Sequence, residues 1–181
     1  SVDFFTPGLQ PQRVSGTSFG TLPGWGNVTP ANAFDQDTST KYRYVHNSGA
    51  RIGQDLGAGR ELAVEGARLY PYTDWSFKLA GSIIQGSNDS STWNDLFTLS
   101  EEPTMDEWND YQFDNAGTYR YYRLRYVDGH GWGHVKELEF LAILPQQLYL
   151  KENKALSITA AETTLTAANL TAEHGGLRAA H

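Results

Sequence analysis

Between residues 50 and 141 the apolar positions recur in short runs broken by Gly, Pro, Asn, Asp and Ser, and no stretch before Pro145 carries a sustained helical stripe. Such runs predict strands rather than helices. The clearest is 119–127, YRYYRLRYV. Alternation puts Tyr119, Tyr121, Arg123, Arg125 and Val127 on one face, and Arg120, Tyr122, Leu124 and Tyr126 on the other. The second face is the core candidate, with Arg120 at its edge. In 136–141, KELEFL, Leu138 and Phe140 point inward while Glu137 and Glu139 point outward. In 62–72, Ala67 and Leu69 share a core face, and Val64 joins them if Gly66 marks a bulge. Further strands are expected at 50–56, 81–86, 94–99 and 111–113, with a turn at 87–91. Residues 1–30 read as loops and short strands, and 32–43 as polar turns. Many short strands bounded by turn residues predict an antiparallel β-sandwich or barrel.

Composition changes at Pro145. The tail, 145–181, is rich in Ala, Thr and Leu and has no Trp or Phe. Leu156, Ile158, Leu165 and Leu170 fit neither the helical nor the strand period, which leaves a linker, a packed helix or extra strands open. The division expected is a binding domain over 1–144 and an extension over 145–181.

Charge and chemistry narrow the function. The net charge is −7, which argues against nucleic acid and anionic membranes, since both call for clustered Lys and Arg. Cysteine is absent, so disulfides, Cys-based zinc sites and thiol nucleophiles are excluded. Ten Tyr, eight Phe and five Trp supply packing between sheets and flat surfaces for ligands. No nucleophile elbow, phosphate loop or dinucleotide fingerprint occurs, so catalysis is not expected. Trp93 and Tyr42 read as core aromatics. His130 and His134 are four apart in a Gly-rich loop with no helix to align them, which disfavours a zinc pair.

The segment Asp35-Gln36-Asp37-Thr38-Ser39-Thr40 places hard oxygen ligands at close spacing on a turn. Calcium takes six to eight such oxygens, so a distant ligand would be needed to complete a shell. The alternative is that both aspartates only cap turns.

Four loops combine aromatic platforms with planar polar groups, the combination that sugars need. They hold Trp25; Tyr44 and His46; Tyr72, Asp74 and Trp75; and His130 and Trp132. Lys78 adds a cation. The densest is 128–134, DGHGWGH.

Six short motifs occur in the order of one known family. They are Asn32-Ala33-Phe34-Asp35, Asp55-Leu56-Gly57, Gly66-Ala67-Arg68-Leu69-Tyr70-Pro71, Ser87-Asn88-Asp89 followed by Trp93, Arg120-Tyr121-Tyr122-Arg123-Leu124, and Gly131-Trp132 with Glu137-Leu138-Glu139-Phe140. From about Val14 to Leu144 the chain resembles the discoidin, or coagulation-factor C-type, domain. The nearest branch is the bacterial carbohydrate-binding modules and the sugar-binding domain of galactose oxidase. The resemblance implies an all-β, eight-stranded antiparallel jelly-roll sandwich. It also implies a structural Ca2+ held by side chains of Asp35, Asp37, Thr40 and Glu137 and by carbonyls of Asn32 and Lys136. It sets His46, Asp74 and Trp132 near the sugar, with Tyr72 where relatives carry arginine. The expected function is a secreted, non-catalytic module that binds an oligo- or polysaccharide beside the other modules of a parent enzyme. A protein-interaction or adhesion domain on the same fold is the alternative.

Overall fold

A computed structural model describes residues 10–22, 28–43, 50–72, 79–126 and 134–144, together with two strands in the tail. Nine short strands lie within 11–142: β1 (Gln12–Arg13), β2 (Thr17–Gly20), β3 (Arg51–Asp55), β4 (Val64–Pro71), β5 (Ile83–Ser87), β6 (Asn94–Thr98), β7 (Asn109–Gln112), β8 (Tyr121–Arg125) and β9 (Val135–Ala142). They form two sheets, in the orders β1-β9-β4-β7 and β2-β3-β8-β5-β6, and every ladder is antiparallel. The expected all-β jelly-roll sandwich is present. One strand beyond the expected eight comes from counting the two-residue β1 on the edge of the smaller sheet.

The alternation read from the sequence decides what lies between the sheets. Tyr122, Leu124 and Tyr126 are buried, while Tyr121, Arg123 and Arg125 stand half-exposed on the other face. Val64, Ala67 and Leu69 are buried together, and the ladder to β9 shifts register between Val64 and Gly66, as a bulge at Gly66 requires. Leu138 and Phe140 meet them from β9, and the Phe140 ring lies 5.7 Å from Tyr122 and 6.4 Å from Phe34. Phe97 stacks on Phe113 and tilts against Tyr111, both at 5.6 Å, which bridges β6 and β7 at the open side of the sandwich.

Two sequence expectations need correction. Glu137 does point away from the inter-sheet core, yet it is fully buried, because the 35–40 loop lies over that face of β9. Trp93 is half-buried at the surface rather than in the core, because its ring packs on the outward-facing Arg123.

The Asp55-Leu56-Gly57 motif has a local cause. Asp55 accepts the Gly57 amide at 2.8 Å, a turn that Gly57 closes at φ +98°. It also takes a bidentate pair from Arg120, at 2.6 and 2.7 Å. Arg120 holds the Asp55 carboxyl below its ordinary value of 3.8. A depressed carboxyl stabilises the fold above its unfolded pKa and loses that contribution as pH falls through the folded one. Arg120→Gln should therefore lower stability at pH 7 and flatten its dependence on pH below about 4. Equal acid-unfolding curves for the two proteins would show that the pair contributes nothing.

The tail contributes a separate antiparallel hairpin, β10 (Leu170–Glu173) with β11 (Gly176–Ala179).

Candidate functional site

The 30–40 segment folds into a single 3-10 turn, Pro30–Ala33, followed by a tight polar loop. Asn32 ties its start through Oδ1, which accepts from the Thr29 amide at 2.9 Å. Gln36 sits at φ +64°, a left-handed turn that reverses the chain over β9. Asp35 Oδ1 accepts the Asp37 amide at 2.9 Å, and Glu137 Oε1 accepts the same amide at 3.0 Å. These contacts bring residues a hundred positions apart to one point.

Thr40 Oγ1 lies at the centre. It is 2.8 Å from Asp35 Oδ2, 3.1 Å from the Asp37 carbonyl oxygen and 3.3 Å from the Asn32 carbonyl oxygen. A hydroxyl has one proton and can serve one of these three acceptors. The second carboxylate oxygen of Glu137 is buried and has no hydrogen-bond partner. Burial first, and then the neighbouring Asp35, pushes the Glu137 carboxyl up to about 8. A crowd of hard oxygens short of protons, with an orphaned buried carboxylate oxygen, is the donor set that suits a calcium ion. Among the described residues no three His, Asp or Glu side chains gather. The fit therefore rests on two carboxylates, a hydroxyl and backbone carbonyls.

The six residues expected at this ion take different roles. Asn32, Asp35, Thr40 and Glu137 converge. Asp37 enters through its carbonyl, because its carboxylate turns to Ser39, accepting the amide at 2.9 Å and the hydroxyl at 2.6 Å. Those two bonds hold the Asp37 carboxyl below its ordinary value. The Lys136 ammonium pairs with Asp106 at 2.7 Å, on β9 next to Glu137.

The described residues that flank the aromatic-rich segments meet at one end of the sandwich. Tyr42 pairs with Val135, its hydroxyl bonds the Thr21 carbonyl, and the Tyr126 amide bonds the Ala50 carbonyl at 2.8 Å. Pro71 faces Val135 across the β4–β9 ladder. The chain thus enters or leaves 23–27, 44–49, 73–78 and 127–133 from the same end. Trp25, Tyr44, His46, Asp74, Trp75, Lys78, His130 and Trp132 fall in those segments, outside the described residues.

Tyr72 is described, and it carries the cation chemistry of that end. Lys41 Nζ lies 3.6 Å from the Tyr72 ring centroid, and a Lys41 hydrogen bond and its charge lower the Tyr72 hydroxyl pKa. The ring of His134, a buried residue, lies 6.2 Å away. Sequence reasoning missed Lys41. Its only signal was its position, directly after the oxygen-rich loop.

No family model matches the sequence, and no curated protein sequence matches it. Solved structures do match. CBM62 of Clostridium thermocellum Xyl5A is 29% identical, covers 73% of this chain and 97% of its own, and superposes with a TM-score of 0.66. Chitosan-binding module 1 of a chitosanase/glucanase from Paenibacillus sp. IK-5 is 21% identical over 71% of this chain and 98% of its own, at TM-score 0.56. A fucolectin from striped bass (Morone saxatilis) serum is 10% identical, covers 74% of this chain and 49% of its own, and has a TM-score of 0.63.

Proposed function

We propose that this chain, which has the discoidin-like, galactose-binding-domain fold of those modules, is a non-catalytic carbohydrate-binding module that uses calcium as a structural clamp. Its glycan lies at the loop end, across Trp25, Tyr44, His46, Tyr72, Asp74, Trp75, Lys78, His130 and Trp132. The observation that carries the reading is that the described flanks of four aromatic-rich segments, at Thr21, Tyr42, Ala50, Pro71, Tyr126 and Val135, lie at one end of the sandwich, with an oxygen cluster nearby that ties the 35–40 loop to β9. Aromatic rings offer a face to sugar C–H groups, while Lys41, Lys78 and the histidines offer donors to hydroxyls. Calcium, held by Asp35, Thr40, Glu137 and the carbonyls of Asn32 and Asp37, supplies the charge that lets Glu137 remain ionised while buried. It fixes the loop that leads into Lys41 and 44–49.

The module belongs, in this reading, to a secreted bacterial carbohydrate-active enzyme. It raises the local concentration of that enzyme on its polysaccharide, so weak binding suffices. The test is isothermal titration against a glycan panel. Saturable binding that needs the loop residues supports the reading, and a protein partner captured without any glycan dependence points to the adhesion alternative.

Asp37→Ala separates the two kinds of ligand atom. The variant keeps the Asp37 carbonyl and loses only the bonds to Ser39. Calcium should still raise its melting temperature. Loss of that response would put the carboxylate, not the carbonyl, in the coordination shell.

A further inference from the structure

The outer face of the five-stranded sheet carries a second set of rings and charges that the loop end does not use. Register places Phe19 opposite Gly53, Gly53 opposite Arg123, Arg123 opposite Gln85, and Gln85 opposite Asp95, so one row crosses all five strands. Thr17, Asp55, Tyr121 and Ser87 form the row on one side of it. Arg51 faces Arg125 in the row on the other side. Gly53 lets the Phe19 ring lie over the middle of the row, since a Cβ there would meet Phe19 Cζ at 2.7 Å and Arg123 Cβ at 2.8 Å.

Trp93 folds over this face from the 87–92 turn, with its indole N–H donating to the Ser90 carbonyl at 3.1 Å. The Arg123 guanidinium lies 3.7 Å from the Trp93 ring centroid. Phe19 stands 6.2 Å from Trp93 and 6.3 Å from Tyr121, and all three rings are half-buried. Between them runs an open cleft of about 380 Å³, walled by Phe19, Trp93 and Tyr121, with Thr17 along one side and Arg51 and Asp55 at its ends. That volume falls in the range of small-ligand sites.

The cleft is lined by one cation, Arg51, and one carboxylate, Asp55. Asp55 is neutralised by Arg120. Among the described residues no carboxylate lies within ion-pair distance of Arg51, Arg123 or Arg125. Arg123 donates to the neutral Gln85 at 2.7 Å, and burial together with the charges of Arg51 and Arg125 lowers its pKa to about 10. Arg51, Arg123 and Arg125 repel one another, Asp95 beside Gln85 offsets part of that charge at Arg123, and Arg51 at the cleft is left to attract an anion. A neutral sugar would stack on the rings and leave that repulsion in place. A carboxylate matches the planar guanidinium fork and relieves it.

We propose that this cleft is a second saccharide site, which takes a short stretch of a uronic-acid glycan with a pyranose ring against Phe19, Trp93 and Tyr121 and a carboxylate at Arg51. The proposal rests on the reading of the chain as a glycan binder, and it differs from the loop-end site in position and in ligand charge.

The experiment titrates the full chain with the trisaccharides of galacturonate, mannuronate and glucuronate, and with their carboxyl-reduced neutral counterparts. Binding is followed by calorimetry and by the nitrogen–proton signal of the Trp93 indole. At least one uronate trisaccharide should bind and move that signal, and its reduced counterpart should bind about tenfold more weakly. Arg51→Gln, an exposed position, should weaken the uronate by about tenfold with an unchanged melting temperature. Trp132→Ala should leave uronate binding intact. An unmoved Trp93 signal with all three uronates overturns the cleft, and so does equal affinity for the reduced sugars or a loss of uronate binding in Trp132→Ala alone. If neutral glycans still bind through Trp132 in that event, the module reading survives without the cleft. If no sugar of either kind binds, both fall.

Discussion

Removal of calcium by a chelator should lower the melting temperature of this chain by roughly 5–10 °C, and added calcium should restore it. An ion at about 100 times its dissociation constant stabilises the native state by roughly 2.7 kcal/mol, and each kcal/mol moves the midpoint of a domain of this size by about 2–4 °C. The reason to expect an effect of this size is Glu137, buried with one oxygen unpartnered and set against Asp35. Without a cation, two carboxylates in one place cannot both ionise freely. With one, the loop 35–40 is cross-linked to β9. Glu137→Gln has nearly the same shape and no charge. It should abolish most of the calcium response while leaving the metal-free protein at least as stable as the wild type, because a buried amide avoids the cost of protonating that carboxyl or of burying it as an anion. Differential scanning calorimetry of both proteins, with chelator and with calcium, decides the matter. An unchanged wild-type midpoint, together with no ion found by elemental analysis, would remove calcium from the account.

Trp132→Ala should weaken binding of a neutral glycan by about tenfold while the melting temperature stays within a degree or so. A sugar hydroxyl exchanges a bond to water for one to protein, with a net gain of only about 0.5–1.5 kcal/mol. A few such bonds and one stacking contact give a dissociation constant of roughly 0.1–1 mM. At that affinity a single ring contact is a large share of the total. Trp132 stands between two glycines in DGHGWGH, a setting with little side-chain packing of its own. Titration of both proteins with the same glycan reads the effect. Equal affinities would take Trp132 out of the site, and a large drop in melting temperature would make it a packing residue.

Local alternation made several strands legible without any structure. In β8 and β9 the choice of which residues face the core follows from a period of two and from side-chain polarity, and burial of Tyr122, Leu124, Leu138 and Phe140 agrees with it. The bulge at Gly66 was also readable, because only an extra residue puts Val64 on the face of Ala67. Turn chemistry at 87–91 followed from the residue types: Asp89 accepts the Ser91 and Thr92 amides at 2.8 and 2.7 Å.

The oxygen cluster was half legible. Asp35 and Thr40 stood out as side chains, whereas a carbonyl oxygen such as Asp37's looks the same at every position of a sequence. Nor could alternation show that Glu137 is buried, since that depends on a loop a hundred residues earlier lying over its strand. The row Phe19, Gly53, Arg123, Gln85 draws on four strands, and each member looks ordinary in its own segment. The sequence by itself determined the strands, their faces and the turns between them, because these depend on neighbours two to four positions away. Only the tertiary structure decided which distant residues share a row or an oxygen cluster, because sheet register and loop packing, not local propensity, bring them within a few ångströms.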